Sequence, residues 1–388
     1  MKRLFAITIA LFLSASLALA QSAPQLASRL KSIPPARGIL GEHAMVVAQE
    51  RIATRIGVEI LDRGGNAVDA AVAVGFALAV TYPRAGNIGG GGFMVIHLAH
   101  DNRDVAIDYR EAAPAAATPT MFLDAQGNPD PAKSRDSGLS VGVPGTVAGL
   151  ALAHQKYGSG TLSLAELLRP AIRLAEQGFR VQDDLADSMP RAVKRLARWP
   201  STVGILLKNG GQPLEAGDRL IQFDLADTLQ AIANQGPDAF YQGDIARKIA
   251  AAVQKAGGVM TADDLKNYRA IERPVVRGSY RGFDIVSMPP PSSGGVHLIE
   301  MLNILEGYDL AKLGRGDEAL HDFIEAMKRA YADRAVYMGD PDSVKMPIAG
   351  LISKKYAASL RATITDKATP AADIHAGKPV EPEGQNTT

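Results

Sequence analysis

The sequence has no cysteine among its 388 residues. Disulfide bonds, thiolate metal sites and a cysteine nucleophile are therefore excluded. A chain of this length buries enough apolar surface to fold without disulfides, even in an oxidising compartment. Its hydrophobic content of 46% is that of an ordinary globular protein, and its length alone suggests about two domains.

An excess of charge of either sign is also absent, since 42 basic residues stand against 41 acidic ones. This balance gives no electrostatic reason to expect nucleic acid or an acidic membrane surface as a partner. The seven histidines are scattered. His97 and His100 are three apart on a predicted strand and so point to opposite faces. We therefore predict neither a metal nor an organic cofactor.

Long apolar runs are missing except at the N-terminus. Lys2 and Arg3 precede an apolar stretch over residues 4–19, and residues 18–20 form a small-x-small cleavage site. This pattern predicts a signal peptide at residues 1–20 rather than an uncleaved membrane helix, for which the stretch is short. We expect the mature chain to be soluble, not held in a membrane, and to lie in the periplasm or to be secreted.

Helical and strand patterns are mixed along the mature chain. A short buried strand is predicted at residues 44–48, and a hairpin at residues 93–99 and 105–110. Further helices are predicted at residues 50–63, 144–157, 225–234, 244–255, 296–305 and 320–331, and strands within residues 274–288. Helices combined with hairpin strands favour a layered α+β architecture over a parallel doubly wound one.

Two helix starts carry capping signals. Asn66 is a predicted N-cap of a buried helix at residues 67–80, with Asp69 in its first turn. Ser163 and Glu166 have the spacing of a capping box. Pro170, further along, must kink that helix or start a second one.

The glycine-rich loop at residues 86–92 does not match a nucleotide-binding motif. No Lys-Ser/Thr pair follows its glycines, and they lead into a strand rather than a helix. We expect a tight turn with close packing of the backbone.

From residue 366 onwards the sequence is rich in proline, alanine, glycine and charge. Few large apolar residues are present to bury, so we predict a flexible processing segment at residues 366–388. The region before it, residues 21–365, is predicted to be the main folded part of the chain.

Five motifs occur in a characteristic order: GGNAVDAA at residues 64–71, DAFYQG at 238–243, PPPSSGG at 289–295, YADR at 331–334 and QNTT at 385–388. Together they resemble the large subunit of the γ-glutamyltransferases (glutathione hydrolases), over nearly the whole mature chain. The resemblance implies an N-terminal-nucleophile hydrolase fold, an αββα sandwich with two antiparallel sheets between helix layers. It also implies that this sandwich is incomplete without a small subunit from the same precursor.

The same resemblance implies that the precursor cuts itself between Asn386 and Thr387, which makes Thr387 the nucleophile. A threonine hydroxyl needs a base within hydrogen-bond reach. As the first residue of a chain, Thr387 would carry its own base, because an α-amino group has a pKa of about 7.7–8.0. Without the resemblance, nothing in the last residues would predict this role.

The implied reaction is attack of the Thr387 hydroxyl on the γ-amide of glutathione or a related γ-glutamyl compound. Water then resolves the γ-glutamyl ester in hydrolysis, and an amino acid or peptide amine resolves it in transfer.

Arg110 is the second candidate site residue, at the end of the second predicted hairpin strand. In one interpretation it is only an arginine paired with Asp108 or Glu111. The resemblance implies instead that it binds the α-carboxylate of the γ-glutamyl group, and the planar guanidinium suits a bidentate carboxylate.

Ser292 and Ser293 are not predicted to be nucleophiles. They lack a Gly-x-Ser-x-Gly setting, and no His/Asp partner can be assigned to them. The resemblance implies a structural turn before a helix.

Two alternative functions remain open. One is a cephalosporin or glutaryl acylase of the same fold, although Arg110 favours a γ-glutamyl substrate through its α-carboxylate. The other is a non-catalytic, truncated exported scaffold. Because the remaining site residues of the family lie in the small subunit, we expect residues 1–388 alone to be inactive.

Overall fold

The computed structural model describes residues 38–380. The predicted signal peptide and the Asn386–Thr387 bond lie outside this range. Residues 38–45 are the described part of a first unit and contain no helix or strand, and the second, folded unit begins at Val46. The predicted strand at residues 44–48 is wrong, because those residues pair with no other described strand and Val47 is 83% exposed.

Helices dominate the folded unit. The helices are α1 Arg51–Asp62, α2 Ala67–Thr81, α3 Pro131–Asp136, α4 Thr146–Tyr157, α5 Leu164–Gln177, α6 Asp183–Leu196, α7 Pro200–Leu206, α8 Phe223–Gln235, α9 Asp238–Tyr241, α10 Gly243–Lys255, α11 Ala262–Asn267, α12 Gly294–Leu305, α13 Leu310–Leu313, α14 Asp317–Tyr337, α15 Ile348–Leu351 and α16 Lys354–Arg361.

The strands are short and antiparallel. They are β1 Phe93–Leu98, β2 Arg103–Asp108, β3 Phe179–Arg180, β4 Leu207–Lys208, β5 Gln212–Pro213, β6 Arg219–Leu220, β7 Ile271–Arg273, β8 Val276–Tyr280 and β9 Phe283–Ser287. In the described residues they form one three-stranded sheet, ordered β1-β2-β7, and the two-stranded pairs β3-β6, β4-β5 and β8-β9.

The predicted caps are confirmed. The Asn66 side chain accepts hydrogen bonds from the backbone of α2, and Asp69 completes a capping box with the Asn66 N–H. Asp69 is fully buried and also accepts from Ser159 N at 3.0 Å and lies 3.1 Å from His154 Nδ1. The cap therefore joins the start of α2 to the end of α4.

Helix α5 has the predicted capping box at Ser163 and Glu166. Pro170 lies inside it without starting a second helix. Helix α14 extends to both sides of the predicted residues 320–331.

The glycine-rich loop packs its backbone against the residues after β2, as predicted. Gly92 and Tyr109 exchange N–H···O bonds of 3.2 and 3.0 Å, which extends the β1-β2 ladder beyond Asp108. A Cβ on Gly91 would lie 2.8 Å from Glu111 N, and a Cβ on Gly145 would lie 2.8 Å from the Tyr109 carbonyl carbon. Any larger residue at these two glycines would push the end of β2 out of place.

Two hydrophobic cores stabilise the unit. The larger lies among the helices from α1 to α11 and the β1-β2 hairpin, and the smaller lies among α12, α14, α16 and β8. Within residues 38–380, no helix is long and apolar enough to cross a bilayer.

The smaller core contains a buried polar cluster. His297 Nδ1 and Glu300 Oε2 are 2.7 Å apart, and Asn303 and Asp333 are buried beside them. Burial, which outweighs the attraction of Asp333, lowers the pKa of His297 to about 4. Burial and the nearby Asp333 carboxylate raise the pKa of Glu300 far above its usual range. Burial therefore favours the protonated form of Glu300 in the folded chain.

Because the pKa of Glu300 is raised in the folded state, the folded chain holds a proton that the unfolded chain releases above about pH 4.5. The contribution of this bound proton to the free energy of unfolding is full below that pH and is lost as the pH rises. Below about pH 6.5 the lowered pKa of His297 has the opposite effect, so we expect the free energy of unfolding to fall from about pH 6.5 to about pH 9, and to fall less in Glu300→Gln, which cannot titrate. Urea unfolding across this range measures the difference. An equal pH dependence in wild type and Glu300→Gln, with exposed Glu318→Gln as control, would contradict the assignment.

Candidate active site

A cleft of about 700 Å³ opens where β2 ends. Its walls come from the residues after β2, the stretch from the end of α11 to β7, the turn before α12, and the end of α14 with the loop that follows. Arg110 lines this cleft and its side chain is exposed. The structure thus places the predicted substrate-binding residue where a small molecule can reach it.

The guanidinium of Arg110 forms no salt bridge with any described residue, so the predicted alternative of a pair with Asp108 or Glu111 is wrong. Its Nη1 donates only to the Pro291 carbonyl, at 3.4 Å. The Asp108 carboxylate instead accepts from the backbone N–H of Arg110 at 3.1 Å and from Arg273 Nε at 2.8 Å. The planar fork of Arg110 is therefore available for a carboxylate from outside the described residues.

The backbone of Arg110 is held on its other side by Tyr268, whose hydroxyl donates to the Arg110 carbonyl at 2.8 Å. The Tyr268 ring stacks on Tyr241, with centroids 5.8 Å apart and planes 10° apart. Tyr241 in turn donates to the Pro144 carbonyl at 2.9 Å. Burial, with the neighbouring Tyr241 and acidic groups, raises the pKa of Tyr268, which keeps its hydroxyl a donor.

Arg273 connects the two sides of the cleft. From β7 it binds Asp108, and through Nη1 and Nη2 it binds both carboxylate oxygens of Asp342, at 3.1 and 2.9 Å. The hydrogen bonds to these two carboxylates, and most of all the one to Asp342, raise the pKa of Arg273. Asp342 lies in the loop after α14, so the Arg273 side chain connects that loop to the three-stranded sheet.

Arg334, at the end of α14, is a second arginine of the cleft. Its Nε donates to Ser293 Oγ at 2.9 Å, and it has no carboxylate partner among the described residues. Ser292 Oγ accepts from Gly294 N at 3.1 Å. Ser292 thus makes a turn contact before α12, in agreement with a structural role, whereas Ser293 caps no helix with its side chain and lines the cleft.

Sequence reasoning missed Tyr268, Arg273 and Arg334 as parts of this site. Arg334 belongs to the YADR motif, which carried the resemblance without assigning a role to the arginine. The signal for Tyr268 and Arg273 exists only in three dimensions, because 158 and 165 residues separate them from Arg110 and Asp108. Asn386 and Thr387 lie outside the described residues.

The described residues contain no group of three or more His, Asp or Glu side chains that could hold a metal ion. His97 lies 2.8 Å from Asp104 and His100 lies 3.6 Å from Asp101, so the two histidines have separate partners.

Removal of the Tyr268 hydroxyl tests how the cleft is held. We expect Tyr268→Phe to lower the free energy of unfolding by about 1 kcal/mol, because one partly buried hydrogen bond is lost. It should also speed amide hydrogen exchange around Arg110. Tyr280→Phe, on the separate β8-β9 pair, is the matched control. Unchanged stability and exchange in Tyr268→Phe would show that its bond does not hold Arg110.

Comparison with known proteins agrees with the resemblance. The family model described as gamma-glutamyltranspeptidase matches residues 53–388. The glutathione hydrolase proenzyme of Escherichia coli (strain K12) is 50% identical over 353 residues, which are 90% of this chain and 60% of that protein. The acylase ACY 1 proenzyme of Pseudomonas sp. (strain V22) is 46% identical over 331 residues, 84% of this chain and 59% of that protein.

Among solved structures, the gamma-glutamyltranspeptidase of Helicobacter pylori superposes with a TM-score of 0.84 at 46% identity. The match covers 91% of this chain and 100% of that chain. The predicted α+β, N-terminal-nucleophile hydrolase fold is thereby confirmed. The chain spans about 60% of the length of the two curated relatives. By its sequence and its fold, the chain belongs to the gamma-glutamyltranspeptidase family.

Proposed function

We propose that the full-length protein hydrolyses or transfers the γ-glutamyl group of glutathione and related γ-glutamyl amides. The observation that carries the proposal is the Arg110 guanidinium, which lines a cleft without a carboxylate partner among the described residues while its backbone is fixed on both sides. Such an arrangement suits a small substrate that brings its own carboxylate.

We infer that the nucleophile is Thr387, formed by self-cleavage. Its hydroxyl oxygen attacks the Asn386 carbonyl carbon, the peptide C–N bond breaks, and the acyl group moves to oxygen as an ester. This cleavage frees the Thr387 α-amine, and water then hydrolyses the ester, which leaves a carboxylate on Asn386 and restores the Thr387 hydroxyl. The word proenzyme in the names of the two curated relatives supports a precursor of this kind.

In the second reaction the free α-amine of Thr387 takes the proton of its own hydroxyl. The oxygen attacks the γ-carbonyl carbon of the substrate, and the proton passes to the departing amine. Water or the amine of an amino acid or peptide then attacks the γ-glutamyl ester and restores the hydroxyl. Arg110 holds the α-carboxylate during both steps, so that the γ-carbonyl keeps one orientation.

Export is part of the proposal. The predicted signal peptide at residues 1–20 suits a protein that acts in the periplasm or outside the cell.

An acylase acting on glutaryl-cephalosporins is the second candidate, favoured by the acylase relative at 46% identity. A glutaryl group also ends in a carboxylate, in the place of the γ-glutamyl α-carboxylate, and lacks only the α-amine. Arg110 therefore suits both substrates and does not favour the first, contrary to the sequence prediction. Parallel assays with a γ-glutamyl-anilide and a glutaryl-cephalosporin separate the two, because only a site that binds the ammonium group prefers the first.

Arg110→Lys tests the binding role. A lysine keeps the charge but loses the bidentate fork, so we expect KM for a γ-glutamyl-anilide to rise about tenfold or more, with a smaller change in kcat. Steady-state kinetics of the purified full-length gene product measure both constants. Arg277→Lys, whose arginine pairs with Asp104 outside the cleft, should leave KM unchanged. An unchanged KM in Arg110→Lys would remove Arg110 from the site.

Thr387→Ala tests the nucleophile. We expect it to abolish both self-cleavage and turnover, because alanine has no oxygen to attack the preceding carbonyl. Thr387→Ser keeps a hydroxyl and should still cleave, at a lower rate. Gel electrophoresis with mass determination of the new N-terminus follows the reaction. Cleavage before residue 387 in the alanine variant would refute the assignment.

A further inference from the structure

The backbone of Gly377 is held from both sides. Its N–H donates to Asp333 Oδ1 at 2.8 Å, and its carbonyl accepts from the Tyr337 hydroxyl at 2.6 Å. Asp333 and Tyr337 are one turn apart on α14 and so project from the same face of that helix. Gly377 itself lies in the segment that composition predicts to be flexible.

The contact leaves no space for a side chain. A Cβ on Gly377 would overlap the Tyr356 hydroxyl and lie 2.9 Å from its Cζ. Tyr356 donates to Asp333 Oδ2 at 2.6 Å, so both oxygens of this fully buried carboxylate are used. Only glycine permits the approach of the segment to α14 and α16 at this position.

A second attachment lies upstream, at Thr369. Its N–H donates to Glu325 Oε1 at 3.1 Å, and its carbonyl accepts from Lys328 Nζ at 2.8 Å. Although burial alone would raise the pKa of Glu325, the hydrogen bonds from Lys328, Arg329 and Thr369 lower it to about 2. The described part of the segment, residues 366–380, is thus attached to α14 by polar contacts rather than by apolar side chains.

The same helix forms a wall of the cleft. Arg334 and Met338 line the cleft, while Asp333 and Tyr337, each one residue earlier, bind Gly377. Ten residues separate Gly377 from Thr387, so the chain between them reaches at most about 36 Å. A helix with its side chains is about 10 Å wide. The chain from Gly377 to Thr387 is therefore long enough to pass around α14 to the cleft, but the distance that Thr387 can reach from Gly377 is limited.

We propose that Asp333, Tyr337 and Tyr356 form a Gly377 anchor that positions the Asn386–Thr387 bond for self-cleavage. The inference rests on the proposed function. Without the anchor, the last polar attachment of the described segment to α14 moves back from Gly377 to Thr369, and the length of chain between that attachment and Thr387 grows from 10 to 18 residues. Chain entropy alone then slows the approach of that bond about twofold, and loss of orientation slows it further.

The test compares two variants in the full-length gene product. Gly377→Ala displaces the segment sterically, and Tyr337→Phe removes one hydrogen bond without a clash. We expect both to slow self-cleavage, by about twofold to 100-fold. Turnover per cleaved molecule should stay at the wild-type value, since the anchor acts before the nucleophile is free. Gel time courses give the cleavage rate, and γ-glutamyl-anilide kinetics on cleaved protein give turnover.

Gly204→Ala, where nothing lies within 4 Å, and Tyr331→Phe, whose side chain is 57% exposed, are the matched controls. Wild-type cleavage rates in both anchor variants, while Thr387→Ala blocks cleavage, would overturn the anchor and leave the proposed function standing. An equal loss of cleavage and of turnover per cleaved molecule would indicate a general structural role and also overturn it. Failure of the wild type itself to cleave before Thr387 would overturn the proposed function and this inference together.

Discussion

The geometry of the cleft depends on the carboxylate of Asp108. This residue ends β2, the central strand of the three-stranded sheet, and pairs with Phe93 on one side and Ile271 on the other. Its two oxygens bind the backbone of Arg110 and the side chain of Arg273. A buried carboxylate is stable only when such donors surround it. The need to satisfy this one carboxylate therefore fixes both the backbone of Arg110 and the link to the loop after α14.

The two cores differ in what holds them together. The larger is apolar and contains the caps and the glycine contacts that set the end of β2. The smaller buries His297, Glu300, Asn303 and Asp333, of which His297 Nε2, Glu300 Oε1 and Asn303 Oδ1 have no partner among residues 38–380. Buried polar groups cost stability unless they are satisfied. The unpartnered polar atoms therefore lower the stability of the smaller core, while its polar side chains make directional contacts. One of these side chains, Asp333, binds the backbone of Gly377.

The sequence predicted the parts of the fold that depend on local interactions. The Asn66 and Ser163 caps, the helix at α2 and the hairpin of β1 and β2 follow from side-chain periodicity and hydrogen bonding within a few residues. The strand at residues 44–48 failed because an apolar run does not specify a pairing partner. Arg110 could be named because the resemblance was added to its place after a predicted strand, whereas Tyr268 and Arg273 could not, since only the β2-β7 pairing brings them near. Composition likewise predicted a flexible C-terminal segment, but it could not show that Glu325 and Asp333 bind residues 369 and 377.

Helix α14 lines the cleft with Arg334 and binds the C-terminal segment with the preceding residue, Asp333. This arrangement restricts how the length of the helix can change. Each residue of an α-helix is rotated by about 100° from the one before it. A single insertion or deletion between Asp317 and Asp333 would turn Arg334 away from the cleft and Asp333 away from the segment at the same time. Substitutions at its exposed positions do not change the directions in which Asp333 and Arg334 project from the helix. The helix therefore tolerates changes of sequence far better than changes of length, and a family member with a one-residue difference here would need a compensating change at the other end of the same helix.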